Sequence, residues 1–410
     1  MLTLDLAHAR AHWFVRQGLA GPIEGTPADV VRRTGWVRTI GGVDVYLAFR
    51  SRMARFRRVA LDAAVGDGRL RVSPAVRGCI YLVPEEDQAL ALRVAEQLTA
   101  RRTARDWEKC GVEPAEIERA GEAIVEALAQ GPLTTSQLRG ALPDGAVRSL
   151  GEAGKKIGLS STLPSALRSL EFAGRIERVP VDDRLDHEQY VWRRPTVAPD
   201  LRALPADLAG LAAPLAERFF RFAGPATLDE FTTWSGLSKR DAKAGIKSCG
   251  LETLRITGYA DEAFAHPDDA DALATPAPVE GGVALLNFAD NYVTLRATPA
   301  ALADPAHASR VANSWGRGQK PLAESSYLHC RAALDGDRLA GSWEWDPDAG
   351  AVVAEPFDDL PPARAEALAA EAASLTAFLR DEVGHARSTS IDTEKAQRER
   401  LALVTARGRV

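Results

Sequence analysis

Apolar residues recur at helical spacing through the first two thirds of the chain, then give way to short alternating runs beyond about residue 280. Residues 2–20 predict an amphipathic helix with Leu2, Leu6, Ala9 and Trp13 on its apolar side and Gly18 near its C-cap. Thr26 and Pro27 form an N-cap and first-turn pair for a second helix over about 27–34. Glycines at both ends of 35–42 predict a turn or a short extended piece. Val43, Leu47, Arg50, Ala54 and Leu61 predict one long helix over 43–67, stopped by Gly66 and Gly68. Leu70–Val72 and Cys79–Val83 are strand candidates around Ser73-Pro74 and Gly78. Three helices followed by two strands is a winged-helix order, and residues 85–109 predict a charged connector helix after it.

The order recurs over 115–195. Ile117, Ala120, Ile124, Val125 and Leu128 line one helix face, and Thr134 heads a short helix ending at Ala141. A loop then carries Lys155 and Lys156. Ser160, Ser161 or Thr162 caps a helix with Leu163, Ala166, Leu167 and Leu170 on one side, and Gly174 suits the left-handed position after it. Arg175–Val179 and Gln189–Trp192 predict a two-stranded wing around a polar tip from Asp182 to His187. Gly131-Pro-Leu-Thr134-x-x-x-Leu138 is echoed 93 residues later by Gly224-Pro-Ala-Thr227-x-x-x-Phe231, each time after an apolar helix. The second copy runs on into a basic helix from Lys239 to Lys247 and a strand over Leu251–Ile256. Pro195 to Pro214 reads as a linker and residues 266–282 as a second boundary. Beyond it, Val283–Phe288, Tyr292–Leu295, Arg338–Trp345 and Ala351–Glu355 are strand candidates, followed by an alanine-rich helix over 361–380. The expected fold is α+β. It has three tandem winged-helix modules (1–110 with its connector helix, 111–200 and 201–270) and a β-rich C-terminal domain with a terminal helix over 271–385. A polar tail over 386–410 holds one further helix from Asp392.

A length of 410 residues exceeds one ordinary core and fits two or three domains at roughly 150 residues each. Apolar and charged fractions of 46% and 26% are those of a folded soluble protein. No apolar run approaches the ~20 residues of a membrane span. The first residues mix charges and histidines into their apolar pattern, unlike a signal peptide, so the cytoplasm is the expected location. Cys79, Cys110, Cys249 and Cys330 lie far apart, and His8 and His12 share a helix face with no third ligand nearby, so no metal, disulfide or cofactor is expected. The net charge of −5 is uneven: residues 1–110 carry +6 and the rest −11. That asymmetry predicts a single basic face. Arg50, Arg52, Arg55, Arg57 and Arg58 fall within nine residues with few acids nearby, a composition suited to phosphate contact. The second helix of the module over 111–200 supplies only Arg168 as a base-edge donor, so Lys155, Lys156 and the wing are expected to touch backbone.

Three stretches carry a resemblance. They are the helix with Leu6, Ala9, Trp13, Gln17, Gly18 and Leu19, the run Pro27-x-x-Val30-Val31-x-x-x-Gly35-Trp36-Val37-Arg38-Thr39, and Arg77-Gly-Cys-Ile-Tyr-Leu-Val-Pro84. Together with Ala284 to Tyr292, Gly341 to Trp345 and Glu355-Pro-Phe357, they make the chain resemble the AlkZ/YcaQ-type winged-helix DNA glycosylases up to about residue 380. The resemblance implies a C-shaped monomer whose concave channel holds double-stranded DNA, and excision of bulky alkylated bases or unhooking of crosslinks without a metal. Catalytic members carry Gln-x-Gln or Gln-x-Asp just after the glycine that follows the second helix. Here a one-residue gap decides whether those positions fall on Val37 and Thr39 or on Arg38 and Ile40. Neither choice supplies a pair of side chains that orients water. Arg38, Thr39 and Asp44 are therefore the candidates for a variant catalytic site, with Asp290 as a further acid. Arg38, Arg50, Arg52, Arg55, Arg57, Arg58, Arg77, Lys155, Lys156 and Arg168 are the candidate DNA contacts. Two readings stay open, a glycosylase with a variant site and a non-catalytic DNA-binding regulator or damage sensor. A third, protein contacts alone, gains if the arginine cluster is buried or paired with acids.

Overall fold

The computed structural model describes residues 1–275, 281–314, 318–325, 328 and 330–406. Residues 276–280 of the expected second boundary and the last four of the expected tail lie outside them. The architecture is mixed α+β.

The first unit contains strand β1 (Leu2–Leu4), helices α1 (Leu6–Arg16) and α2 (Pro27–Thr34), and strand β2 (Val37–Arg38). Helices α3 (Asp44–Arg50) and α4 (Arg58–Gly66), strands β3 (Leu70–Pro74) and β4 (Ile80–Pro84), and helix α5 (Gln88–Lys109) complete it. Strands β2, β4 and β3 form one antiparallel sheet in that order. The expected single helix over 43–67 is two. Residues Ser51 to Arg57 break it, with Arg55 in the left-handed region at φ 51°. The break turns Phe56 inward to stack on Phe49 at 6.0 Å between ring centres, and its Arg52 carbonyl accepts from the Ile23 amide at 2.7 Å. The N-terminal half of α5 is also no polar connector, because Leu90, Ala91, Leu92, Val94 and Ala95 are buried.

The second unit runs α6 (Pro114–Ala127), β5 (Leu133–Thr134), α7 (Thr135–Ala141), α8 (Gly151–Lys156), α9 (Leu163–Phe172), β6 (Glu177–Pro180) and β7 (Tyr190–Arg193). Its core from Val112 to Trp192 is separate from the other two clusters of the molecule. Gly174 takes φ 64°, as the sequence requires of a helix stop. Lys155 and Lys156 lie in the short helix α8 rather than in a loop.

The third unit has α10 (Leu208–Ala223), β8 (Ala226–Thr227), α11 (Leu228–Ser235), α12 (Lys239–Ser248), β9 (Glu252–Ile256), β10 (Ala263–Ala265) and α13 (Ala270–Ala274). Helix α10 contains Pro214, so the expected linker ends at Asp207, whose carboxylate caps the helix. The sequence echo has a physical basis. Thr134 and Thr227 each head a capping box, with Gln137 and Glu230 reaching back to the cap amide. Strand β1 pairs in parallel with β9, so the first residues of the chain close the sheet of the third unit.

The C-terminal part holds β11 (Val283–Leu285), α14 (Asn291–Thr294), the hairpin β12 (Val311–Ser314) and β13 (Gly318–Pro321), and strands β14 (Arg331–Asp335), β15 (Arg338–Asp346) and β16 (Ala351–Pro356). Helix α15 (Pro362–Ala377), a π-helical turn over Phe378–Val383 and α16 (Glu394–Thr405) follow. The expected strand Tyr292–Leu295 is instead the short helix α14, headed by Asp290 accepting from the Tyr292 amide at 2.8 Å. The residues expected as a polar tail are docked. Helix α16 lies on β15 and β16, and Arg400 pairs with Glu344 and Asp392.

Candidate functional site

The strand that carries Arg38 is positioned from both ends. Helix α2 begins in a capping box between Thr26 and Asp29 and ends at Gly35, where φ is 96° and a Cβ would meet the Phe222 ring at 2.8 Å. The chain is then held by donors from elsewhere. Gln17 Nε2 donates to the Thr34 and Phe222 carbonyls, and Asn291 Nδ2 donates to those of Thr34 and Trp36. Trp36 Nε1 donates to Asp87 at 2.9 Å. Val37 then pairs with Leu82 and Arg38 with Tyr81.

Directly paired residues on antiparallel strands project to the same face. Arg38 therefore shares its face with Tyr81, whose hydroxyl accepts from Arg77 Nη2 at 3.1 Å. Arg38 is half-buried, its Nε is shielded from solvent, and among the described residues it has no hydrogen-bond or ion-pair partner. Alternation sends Val37 and Thr39 to the other side, where both are buried. The Thr39 hydroxyl finds no hydrogen-bond geometry there, although the Tyr190 phenol lies alongside; burial pushes that phenol up.

The following loop is clamped. Gly41 and Gly42 take φ 69° and 83°. The Gly42 amide donates to the Asp186 carbonyl at the wing tip of the second unit, and the Val43 amide to the Arg387 carbonyl, both at 2.8 Å. The Ser390 amide donates to the Ile40 carbonyl, and Ser390 Oγ to Glu188. Asp186 is itself gripped by Arg184 and by His385 at 2.9 Å, which hold its carboxyl well below the usual range against the opposing effect of burial.

The two candidate acids are both committed elsewhere. Asp44 is buried, accepts from the Phe288 amide at 2.8 Å and takes Arg331 Nε and Nη2 at 3.1 and 3.2 Å. Burial raises its carboxyl, and the Arg331 guanidinium pulls it back. Arg331 also holds Glu344 at 3.1 Å and lies over the buried Trp343 ring, which makes that tryptophan core rather than a stacking platform. Asp290 forms a bidentate pair with Arg52 at 2.7 and 2.8 Å, with side-chain exposures of 1% and 2%. Nearby, burial lifts the Asp62 carboxyl to about 6 despite the Tyr46 hydroxyl and Arg58.

The arginine cluster is corrected by the same geometry. Arg52 is interior and cannot meet a phosphate. Arg50 pairs with Glu371 at 2.6 Å, Arg57 with Glu382 at 2.8 Å, and Arg58 with Asp62. Only Arg55 of the five is exposed and has no acid partner among the described residues. In the second unit, Lys155 pairs with Glu152 at 2.6 Å, while Lys156 and Arg168 are exposed and have no acid partner among the described residues. Arg168 lines a small cleft with Asp106 and Trp107. Sequence reasoning passed over the exposed cations of α12 and of the outer half of α5, although the basic run Lys239 to Lys247 was visible.

Among the described residues, no group of three or more His, Cys, Asp or Glu side chains is disposed to hold a metal, and burial lowers His12 to about 4. Nor is any helix among them long and apolar enough to cross a membrane. All four cysteines are free thiols.

Comparison with known proteins agrees with this architecture. The solved structure of the Streptomyces sahachiroi DNA glycosylase AlkZ superimposes with a TM-score of 0.69 at 20% identity, covering 94% of this chain and 98% of that one. No curated protein matches. The family model for DNA glycosylase AlkZ-like proteins matches residues 42–378, so the chain belongs to the AlkZ-like DNA glycosylase family.

Proposed function

We propose that this chain binds double-stranded DNA through three tandem winged-helix modules and a β-rich C-terminal domain, and recognises it without hydrolysing the glycosidic bond. Family membership supports the DNA substrate. The observation that carries the non-hydrolytic reading is the state of the candidate acids. Water activation needs a side chain free to orient the water or take its proton, a role the resemblance gives to a Gln-x-Gln or Gln-x-Asp pair. Asp44 and Asp290 are instead bound to Arg331 and Arg52, and Val37 to Ile40 offer no carboxylate or carboxamide at either expected pair of positions. The pairing of Arg50, Arg52, Arg57 and Arg58 with acids removes this cluster as an electrostatic argument for DNA and is the outcome that counts toward protein contacts, so the DNA-binding reading rests on family membership.

One feature favours the second reading, a glycosylase with a variant site. Arg38 presents a half-buried guanidinium without a partner among the described residues, a group that can hold a phosphate or a departing base. A single experiment separates the two. Purified protein is incubated with undamaged and alkylated duplexes, and both retention and base release are measured. Salt-sensitive retention without base release is expected, weakened in Arg38→Ala. Base release that disappears in Arg38→Ala establishes the variant enzyme instead.

A further inference from the structure

We infer that the cationic face of α12 is the main phosphate-contacting surface for duplex DNA; this rests on the DNA-binding reading above. Helix α12 has two unlike sides. Ala242, Gly245 and Ile246 are buried toward α10, and Gly245 sits so close to the Ala212 backbone that a Cβ has no room. Lys239, Arg240, Lys243 and Lys247 are exposed. Lys239, Lys243 and Lys247 follow each other at four-residue intervals, a row about 12 Å long at 1.5 Å per residue, and Arg240 flanks it. Lys239 is paired with Asp229 at 2.7 Å. Among the described residues, Arg240, Lys243 and Lys247 have no carboxylate partner, and Asp241, the one acid in the helix, accepts from the Ser238 cap.

This contrasts with the first unit, where most arginines are neutralised by acids. Like charges at four-residue spacing destabilise a helix by a few tenths of a kcal/mol per pair. The fold leaves that repulsion in place on α12, and an anionic partner relieves it.

The placement ties this face to Arg38. The turn before α12 rests on Arg77, whose Cγ lies 3.1 Å from where a Cβ on Gly236 would stand, with Leu98 of α5 at 3.8 Å. Arg77 holds Tyr81, which faces Arg38 across the sheet. Arg101 and Arg105 lie three and seven residues beyond Leu98, on the same side of α5, and both are exposed. The turn that begins α12 therefore packs beside Leu98 of α5 and beside Arg77, two contacts from Arg38. A helix of this width enters a major groove of about 12 Å, and its lysines and arginines reach the flanking phosphates.

The test is the salt dependence of binding to an undamaged duplex, measured for the full chain and for R240A/K243A/K247A. Alanine favours the helix, and an unchanged melting temperature confirms that the variant folds. A control removes three exposed cations far along the chain, R380A/K395A/R398A. Each phosphate contact contributes about 0.9 to the slope of log affinity against log salt. The α12 variant is expected to lose about 2 to 3 units of slope, and the control less than one. Normal binding by the parent with an unchanged slope in the α12 variant overturns the surface and leaves the DNA-binding reading standing. Failure of the parent itself to bind at low salt overturns both.

Discussion

At the scale of single residues, the informative groups are those that look reactive in the sequence and are structural in the fold. Asp44 follows the strand that carries Arg38, yet its carboxylate completes a buried network with Arg331 and Glu344 and orders the Phe288 amide. A buried ion pair adds little net stability, whereas removing one partner costs about 3–5 kcal/mol because a charge is left without compensation. In Asp44→Asn the Arg331 guanidinium keeps Glu344, so the expected loss is smaller, about 2–3 kcal/mol, read from the midpoint of urea unfolding at constant slope. An unchanged midpoint, together with loss of a base-release activity, would return Asp44 to the chemistry. Nothing in the sequence identifies Arg331 as the partner, because 287 positions separate the two. The orientation of Arg38 was closed to sequence reasoning for a related reason. Its face is set by register against Tyr81, and a shift of one residue would exchange it with Thr39.

At the scale of elements, local chemistry was legible and distant contacts were not. The caps at Thr26, Thr134 and Thr227 and the helix stop at Gly174 depend on neighbours within a few residues, and each stands where the pattern puts it. The break at Ser51 to Arg57 depends on Asp290, and the strand Leu2–Leu4 depends on β9, so periodicity alone ran a helix through both. The segment after the π-helical turn is the clearest case. Its composition reads as a solvated tail, but its backbone pairs with Ile40 and Val43 and clamps the loop beside Arg38. Gly42 makes that close approach possible: it has φ 83°, and a Cβ there would overlap the Arg387 carbonyl and Ser388. Gly42→Ala is therefore expected to free the strap, raising amide hydrogen exchange in residues 40–44 and 385–390 while the second unit, with its own core, stays protected. Unchanged exchange in both stretches would mean the strap yields without cost.

At the scale of the whole molecule, the uneven charge is mostly an internal affair. The N-terminal excess of +6 and the deficit of −11 beyond it meet across the fold, as Arg10 with Asp337, Arg16 with Asp269, Arg50 with Glu371, Arg52 with Asp290 and Arg57 with Glu382. An asymmetry of this kind has two physical outlets, an anionic ligand or complementary parts of the same chain, and a sum over residues cannot distinguish them. What distinguishes them is which cations are left over; among the described residues these include Arg240, Lys243 and Lys247 of α12 and Arg101 and Arg105 of α5, beside Arg55, Lys156 and Arg168 elsewhere. The two outlets predict different behaviour for Arg50→Ala combined with Arg57→Ala. If these arginines meet phosphates, the salt slope of duplex binding falls by about 2. If they bind Glu371 and Glu382, the slope moves by less than one unit, and the cost appears instead as faster hydrogen exchange in α15 and the π-helical turn, which lose their anchors to the first unit. The ion-pair distances predict the second result. A slope lower by two with α15 still protected would restore the arginine cluster as a nucleic-acid surface.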